Sequence, residues 1–163
     1  MDAINATPLS NNGREYWVPL LGLAAQEVFA SMLASQVVSS PEPIAEAEPL
    51  NITAMVGLAG HLCGILTVKS SEKAATLMCS KMLGIEASQA GPQMYDAVGE
   101  VCNMIAGNFK NKIAGMNDAT MLSVPTVIIG DSYSLHSLTD SGRIGINLLF
   151  EGLPLIVSLE VHS

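Results

Sequence analysis

QMYDAVGEVCNMIAGNFKNKIA, residues 93–114, is the stretch around which the rest of the chain is organised. Wound as a helix at about 100° per residue, it separates into two faces of different chemistry. Met94, Val98, Val101, Cys102, Ile105, Phe109 and Ile113 form one apolar stripe, the face a helix lays on a core. Asp96, Glu100, Asn103, Gly107, Lys110 and Ala114 gather on the opposite side. Glu100 and Asn103 stand at i and i+3, so a carboxylate and an amide are neighbours that can reach one target together. Asparagine is a poor helix former, and an interior glycine costs about 1 kcal/mol relative to alanine. With Asn103 and Gly107 on one line, helix stability has been given up along it. Close approach of another backbone or protein would account for Gly107.

Upstream, Ser70 or Ser71 can cap a helix over Glu72–Leu83 that Gly84 stops, and a loop through Gly91-Pro92 leads into the central helix. Ile52, Ala54, Val56 and Leu58 alternate, as do Leu62, Gly64, Leu66 and Val68, with Ala59-Gly60-His61 between them; this predicts a β-hairpin. Ser39–Glu48, SSPEPIAEAE, has the prolines and glutamates of a linker. Pro19 suits the first turn of a helix running through Leu20, Leu23, Ala24, Val28 and Met32 to about Ser35. Residues 1–13 are polar and aperiodic and read as a disordered segment, leaving 14–163 as one domain.

Downstream, the central helix is expected to end near Gly115, and Val124–Gly130 reads as a strand whose Pro125 suits an edge. A short extended piece around Tyr133–Leu138 and a turn at Asp140-Ser141-Gly142 follow. Ile144, Ile146, Leu148 and Phe150 then alternate, and Glu151-Gly152 turns into Leu155, Val157, Leu159 and Val161. The order predicts a single α+β domain, a largely antiparallel sheet with long helices packed on it.

Composition narrows the function. Only 13% of the 163 residues are charged and 49% are apolar, which points to surface covered by a second subunit or a partner, hence a homodimer. A net charge of −8 argues against nucleic acid, and no basic amphipathic stretch points to a membrane. Pro49–Val68 carries no formal charge over nearly a bilayer's span, but its glycines and its Gly60-His61 break fit two short buried strands better. The N-terminus lacks a basic region followed by an apolar one, so the expected location is the cytoplasm.

Several residues have bland explanations. The glycines of Gly57–Gly64 join strand to strand without a Gly-Lys-Ser/Thr ending, so they are not a phosphate loop. His61, His136 and His162 have no ligand at metal-binding spacing, and Cys63, Cys79 and Cys102 lack paired spacing. Cys102 belongs to the apolar face as a small core residue. Asp131 and Asp140 border turns, where aspartate is expected. Glu100 and Asn103 themselves could be no more than a solvated face.

The run Asp96-x-x-x-Glu100-Val-Cys-Asn103-Met-Ile-Ala-Gly107-Asn108 closely resembles the signature of the CheC/CheX/FliY family of chemotaxis phosphatases. Ser123-Val-Pro125-Thr-Val resembles the segment that follows this helix in CheX-type members, and the likeness extends over about residues 14–161. CheC-type members usually carry two E-x-x-N helices. Here Glu72-Lys-Ala-Ala75 has alanine where asparagine would be needed, so the chain resembles CheX, with one site.

The resemblance implies a CheC/CheX-like fold, a homodimer formed through the sheets, and a phosphorylated CheY-like response regulator as substrate and partner. It implies that the receiver, not this chain, holds Mg²⁺, and that this chain binds no cofactor. It also implies roles: Asn103 orients the attacking water, and Glu100 pairs with the receiver's active-site lysine. Asp96 belongs to the same motif, Lys110 would be a rim contact, and Gly107 would give the partner clearance. Two other readings stay open: a non-catalytic adaptor for receivers or a flagellar switch component, and a small-ligand sensor. Intact Glu100 and Asn103 favour the enzyme over the adaptor, and a core poor in polar residues disfavours the sensor.

Overall fold

Alternation and capping place most of the elements. The computed structural model describes residues 11–41, 49–113, 119–130, 133 and 143–162. The chain runs α1 (Asn11–Leu33), β1 (Val37–Ser40), β2 (Ile52–Gly60), β3 (Cys63–Ser70), α2 (Glu72–Leu83), α3 (Gln93–Lys112), β4 (Thr120–Leu122), β5 (Thr126–Ile129), β6 (Arg143–Phe150) and β7 (Leu153–His162). The strands form one sheet in the order β1-β6-β7-β3-β2-β4, with β5 also on β2. Every pairing among the described residues is antiparallel.

Period-2 alternation decides which side chains face the helices. Ala54, Val56, Leu66, Val68, Leu155, Val157 and Leu159 share a face and are fully buried. Against them the helices lay Leu21, Ala25, Phe29, Ala75, Met78, Val98, Val101, Ile105 and Phe109. Phe29 meets Phe150 at 5.0 Å between ring centroids, and Trp17 meets Phe109 edge-on at 6.2 Å. The uncharged run 49–68 is the β2–β3 hairpin. At its turn Gly60 has φ +139°, and a Cβ there would lie 1.9 Å from the Ala119 carbonyl oxygen, so only glycine closes it.

Helix α2 keeps both expected ends. Ser71 Oγ accepts from the Ala74 N–H at 3.1 Å, and Gly84, at φ 67°, donates its N–H to Ser80 O. Other boundaries differ from the sequence reading. Helix α1 starts at Asn11, inside the segment expected to be disordered and eight residues before Pro19. Pro19 is exposed, so water can satisfy the carbonyl its ring leaves unbonded. Ser39 and Ser40, assigned to the linker, are paired with Leu148 and Asn147 in β1. Helix α3 ends at Lys112, where Ile113 turns extended; Ala114 and Gly115 lie outside the described residues. So do residues 1–10, 42–48 of the linker, the piece at 134–138 with His136, Asp131, and the turn at 140–142.

One described helix stretch, Tyr16–Leu33, is long and apolar enough to cross a membrane by length and composition. Leu21, Ala24, Ala25, Val28, Phe29 and Leu33 of that stretch are core residues here.

Candidate active site

Helix α3 crosses the sheet with its apolar stripe down. Met94, Val98, Val101, Cys102, Ile105, Phe109 and Ile113 are all buried, as the two-faced reading requires. The Cys102 thiol lies over the sheet, 3.6 Å from Ala54 O and 3.5 Å from Leu66 O. Burial pushes its pKa up to about 12, so it stays protonated and is a packing residue rather than a nucleophile. Neighbouring elements hold α3 at both ends: Thr76 Oγ1 of α2 lies 3.3 Å from Met94 Sδ, and Lys112 pairs with Glu27 of α1 at 2.7 Å.

The outer face is not uniformly open. Asp96 and Glu100 are exposed, whereas Asn103, Gly107 and Lys110 are half-buried. The difference comes from the edge strand. A Cβ on Gly99 would lie 3.4 Å from Val127 Cγ2 and 3.5 Å from Pro125 Cβ, and one on Gly107 would lie 3.7 Å from Leu122 Cδ1. Lys110 Nζ donates to Thr120 O at 2.9 Å. The flank of α3 through residues 99, 107 and 110 therefore runs along β5 and β4. Glu100 sits on the crest of the helix, and Asn103 lies about 60° round toward that edge. Neither side chain is tied by a hydrogen bond or ion pair to another described residue, so both are available to a partner.

The five residues singled out in the sequence thus share one stripe of one helix. Lys110 has a structural task as well, fastening α3 to β4. Gly107 is not demanded by the fold, because 3.7 Å to a leucine methyl is ordinary contact. Ala75, at the position in α2 where a second motif would put asparagine, is fully buried, so an amide there could not reach a partner. Among the described residues, no three His, Cys, Asp or Glu side chains cluster so as to hold a metal.

Sequence reasoning did not single out Gly99 or the strip Ser123–Pro125 as neighbours of Asn103. The spacing of Gly99 and Gly107, four residues either side of Asn103, was the available signal for a close approach.

Residues 52–149 match the family model of the chemotaxis phosphatase CheX. The CheY-P phosphatase CheX of Thermotoga maritima is 29% identical over 90 residues, which are 55% of this chain and 58% of that protein. The chain thus matches somewhat over half the length of this relative. The crystal structure of the chemotaxis protein CheX from Desulfovibrio desulfuricans superposes with a TM-score of 0.72 at 25% identity, over 90% of this chain and 99% of that one. CheX in the CheX–CheY–BeF3–Mg²⁺ complex of Borrelia burgdorferi shares the fold, with a TM-score of 0.70 at 20% identity over 90% and 98% of the two chains. By its sequence match and its fold, with one E-x-x-N helix on the outer face, the chain belongs to the CheX family of chemotaxis phosphatases.

Proposed function

We propose that this chain is a phosphatase that hydrolyses the aspartyl phosphate of a CheY-like receiver domain, with Glu100 and Asn103 as its catalytic pair. The observation that carries this reading is that Glu100 and Asn103 stand side by side on α3, open to a partner and bonded to no other described residue. Its support from relatives is the Thermotoga maritima protein named CheY-P phosphatase and the Borrelia burgdorferi CheX bound to CheY.

An aspartyl phosphate is an acyl phosphate, already labile, so the phosphatase has to position a water more than it has to supply reactive groups. Asn103 offers both an acceptor and a donor to that water without bringing charge toward the phosphoryl group. The water oxygen attacks phosphorus, the bond to the aspartate oxygen breaks, the carboxylate leaves with the electron pair, and the water's protons end on phosphate and solvent. Glu100, on the crest, pairs with the receiver's active-site lysine and fixes register. Asp96 and Lys110 border this contact, and Gly107 leaves room for it. In this reading Mg²⁺ belongs to the receiver. On the same reading the protein works in the cytoplasm as a homodimer joined through its sheet.

The test is phosphate release from a phosphorylated, Mg²⁺-loaded receiver. Asn103→Ala is expected to lower kcat about a hundredfold, the usual scale for one preorganised polar group, while binding is nearly kept. Glu100→Ala is expected to weaken affinity and rate together. A folded Asn103→Ala protein that accelerates release like the wild type would leave the adaptor reading in its place.

A further inference from the structure

We propose that Val124, on the strip between β4 and β5, is an apolar docking residue for the phosphorylated receiver beside Asn103. The inference rests on the phosphatase reading above and adds a contact that decides affinity.

Three contacts bracket the segment that carries Val124. Gly99 lies against Pro125 and Val127, Gly107 against Leu122, and Lys110 against Thr120. As residue number rises along the helix, it falls along the edge. Asn103, midway between Gly99 and Gly107, is therefore abreast of Ser123 and Val124. Val124 is 84% exposed, the highest value among the exposed large apolar side chains of the described residues.

The backbone under Val124 is held and closed to strand pairing. The Ser123 N–H donates to Gly57 O at 2.9 Å, Gly57 N–H donates to Ser123 Oγ at 2.8 Å, and Ser123 Oγ donates to Val124 O at 3.1 Å. Pro125 has no N–H to offer. This break between two short strands blunts the edge against pairing with another strand. It leaves an exposed apolar residue on a held backbone, in the stretch of edge abreast of Asn103.

The receiver is the occupant that this placement favours. A second copy seated on Val124 would stand over the Asn103 stripe and shut the substrate out. An apolar contact beside the Glu100–lysine pair excludes water from it and stabilises the complex.

The test compares Val124→Asp and Val124→Ser with Met121→Ser. Met121 is also exposed, but it pairs with Ala59 and so lies on the sheet face away from α3. Affinity is measured for a CheY-like receiver loaded with Mg²⁺ and beryllofluoride, and KM and kcat for phosphate release, with melts to confirm folding. Val124→Asp is expected to raise Kd and KM about tenfold or more and leave kcat at saturation within about twofold. Val124→Ser should shift both constants less in the same direction, and Met121→Ser neither. Wild-type affinity in folded Val124→Asp overturns the proposal, as does a fall in kcat alone. Conversion of a dimer to a monomer with receiver affinity unchanged also overturns it, assigning the strip to a second copy. Asn103→Ala run alongside separates the readings: full activity there sinks the phosphatase assignment, whereas unchanged affinity in Val124→Asp sinks only the docking role.

Discussion

Gly107→Ala should make the protein more stable and a worse phosphatase. Gly107 is an interior helix residue with ordinary negative φ, so alanine fits its backbone. Replacing glycine by alanine in a helix contributes about 1 kcal/mol through propensity and a less flexible unfolded chain. Among the described residues the added methyl meets only Leu122 Cδ1, at 3.7 Å, an ordinary contact that does not oppose the gain. For a domain of this size that gain corresponds to a rise in Tm of about 2–4 °C. If the receiver approaches closely at this turn, the same methyl overpacks the interface by about 1–3 kcal/mol. That range corresponds to a loss of affinity of about fivefold to 150-fold. Thermal or denaturant melts give the first quantity, and titration with a beryllofluoride-loaded receiver gives the second. A lower Tm would refute the account of the space around Gly107. A higher Tm with unchanged affinity would refute the clearance role.

Asn103→Ala, beyond its effect on rate, should leave the fold intact and stabilise α3 by about a few tenths of a kcal/mol, since the side chain has no partner to lose among the described residues; a marked drop in Tm would show a structural role instead. Sedimentation at about tens of micromolar should give a dimer mass, and a monomer mass would count against the assembly inferred from the sparse surface charge. The Cys102 thiol makes stability fall in alkali. Its pKa is raised from 9.0 to about 12, so its contribution is complete below pH 9 and lost as pH rises toward 12. Burial raises the Cys79 thiol as well, with the same sign. Melts at rising pH check this, and a thiol reagent at neutral pH should label Cys63, which is exposed, while Cys79 and Cys102 stay protected until unfolding. Equal labelling of all three in the folded protein would contradict the burial.

Much of the fold was legible because its signals are local. Ser71 and Gly84 mark the ends of α2 within one turn of the groups they bond, and alternation from Ile52 to Val68 specifies a hairpin closed at Gly60. The faces of α3 follow from 3.6-residue periodicity alone, so Glu100 and Asn103 could be placed outward without knowing what lies below. The misplaced parts depend on distant partners. β1 exists because Val37 pairs with Phe150, and β4 because Leu58 pairs with Leu122; each is too short to stand without its neighbour. The N-terminal reach of α1 past Pro19 did have a local start pattern, Asn12 with Glu15 three residues on, but the proline outweighed it in the reading. At the site, the sequence determined which side chains share a stripe, and the tertiary structure decided what that stripe faces. Gly99, Asn103 and Gly107 lie beside Leu122 to Val127 because both segments are fixed on the same β2 edge, α3 from above and β4–β5 from the side. Helical phase is a property of consecutive residues, whereas the placing of Gly99 and Gly107 against Leu122–Val127 depends on sheet pairing between residues as far apart as Ile52 and Ile129, and no local pattern records it.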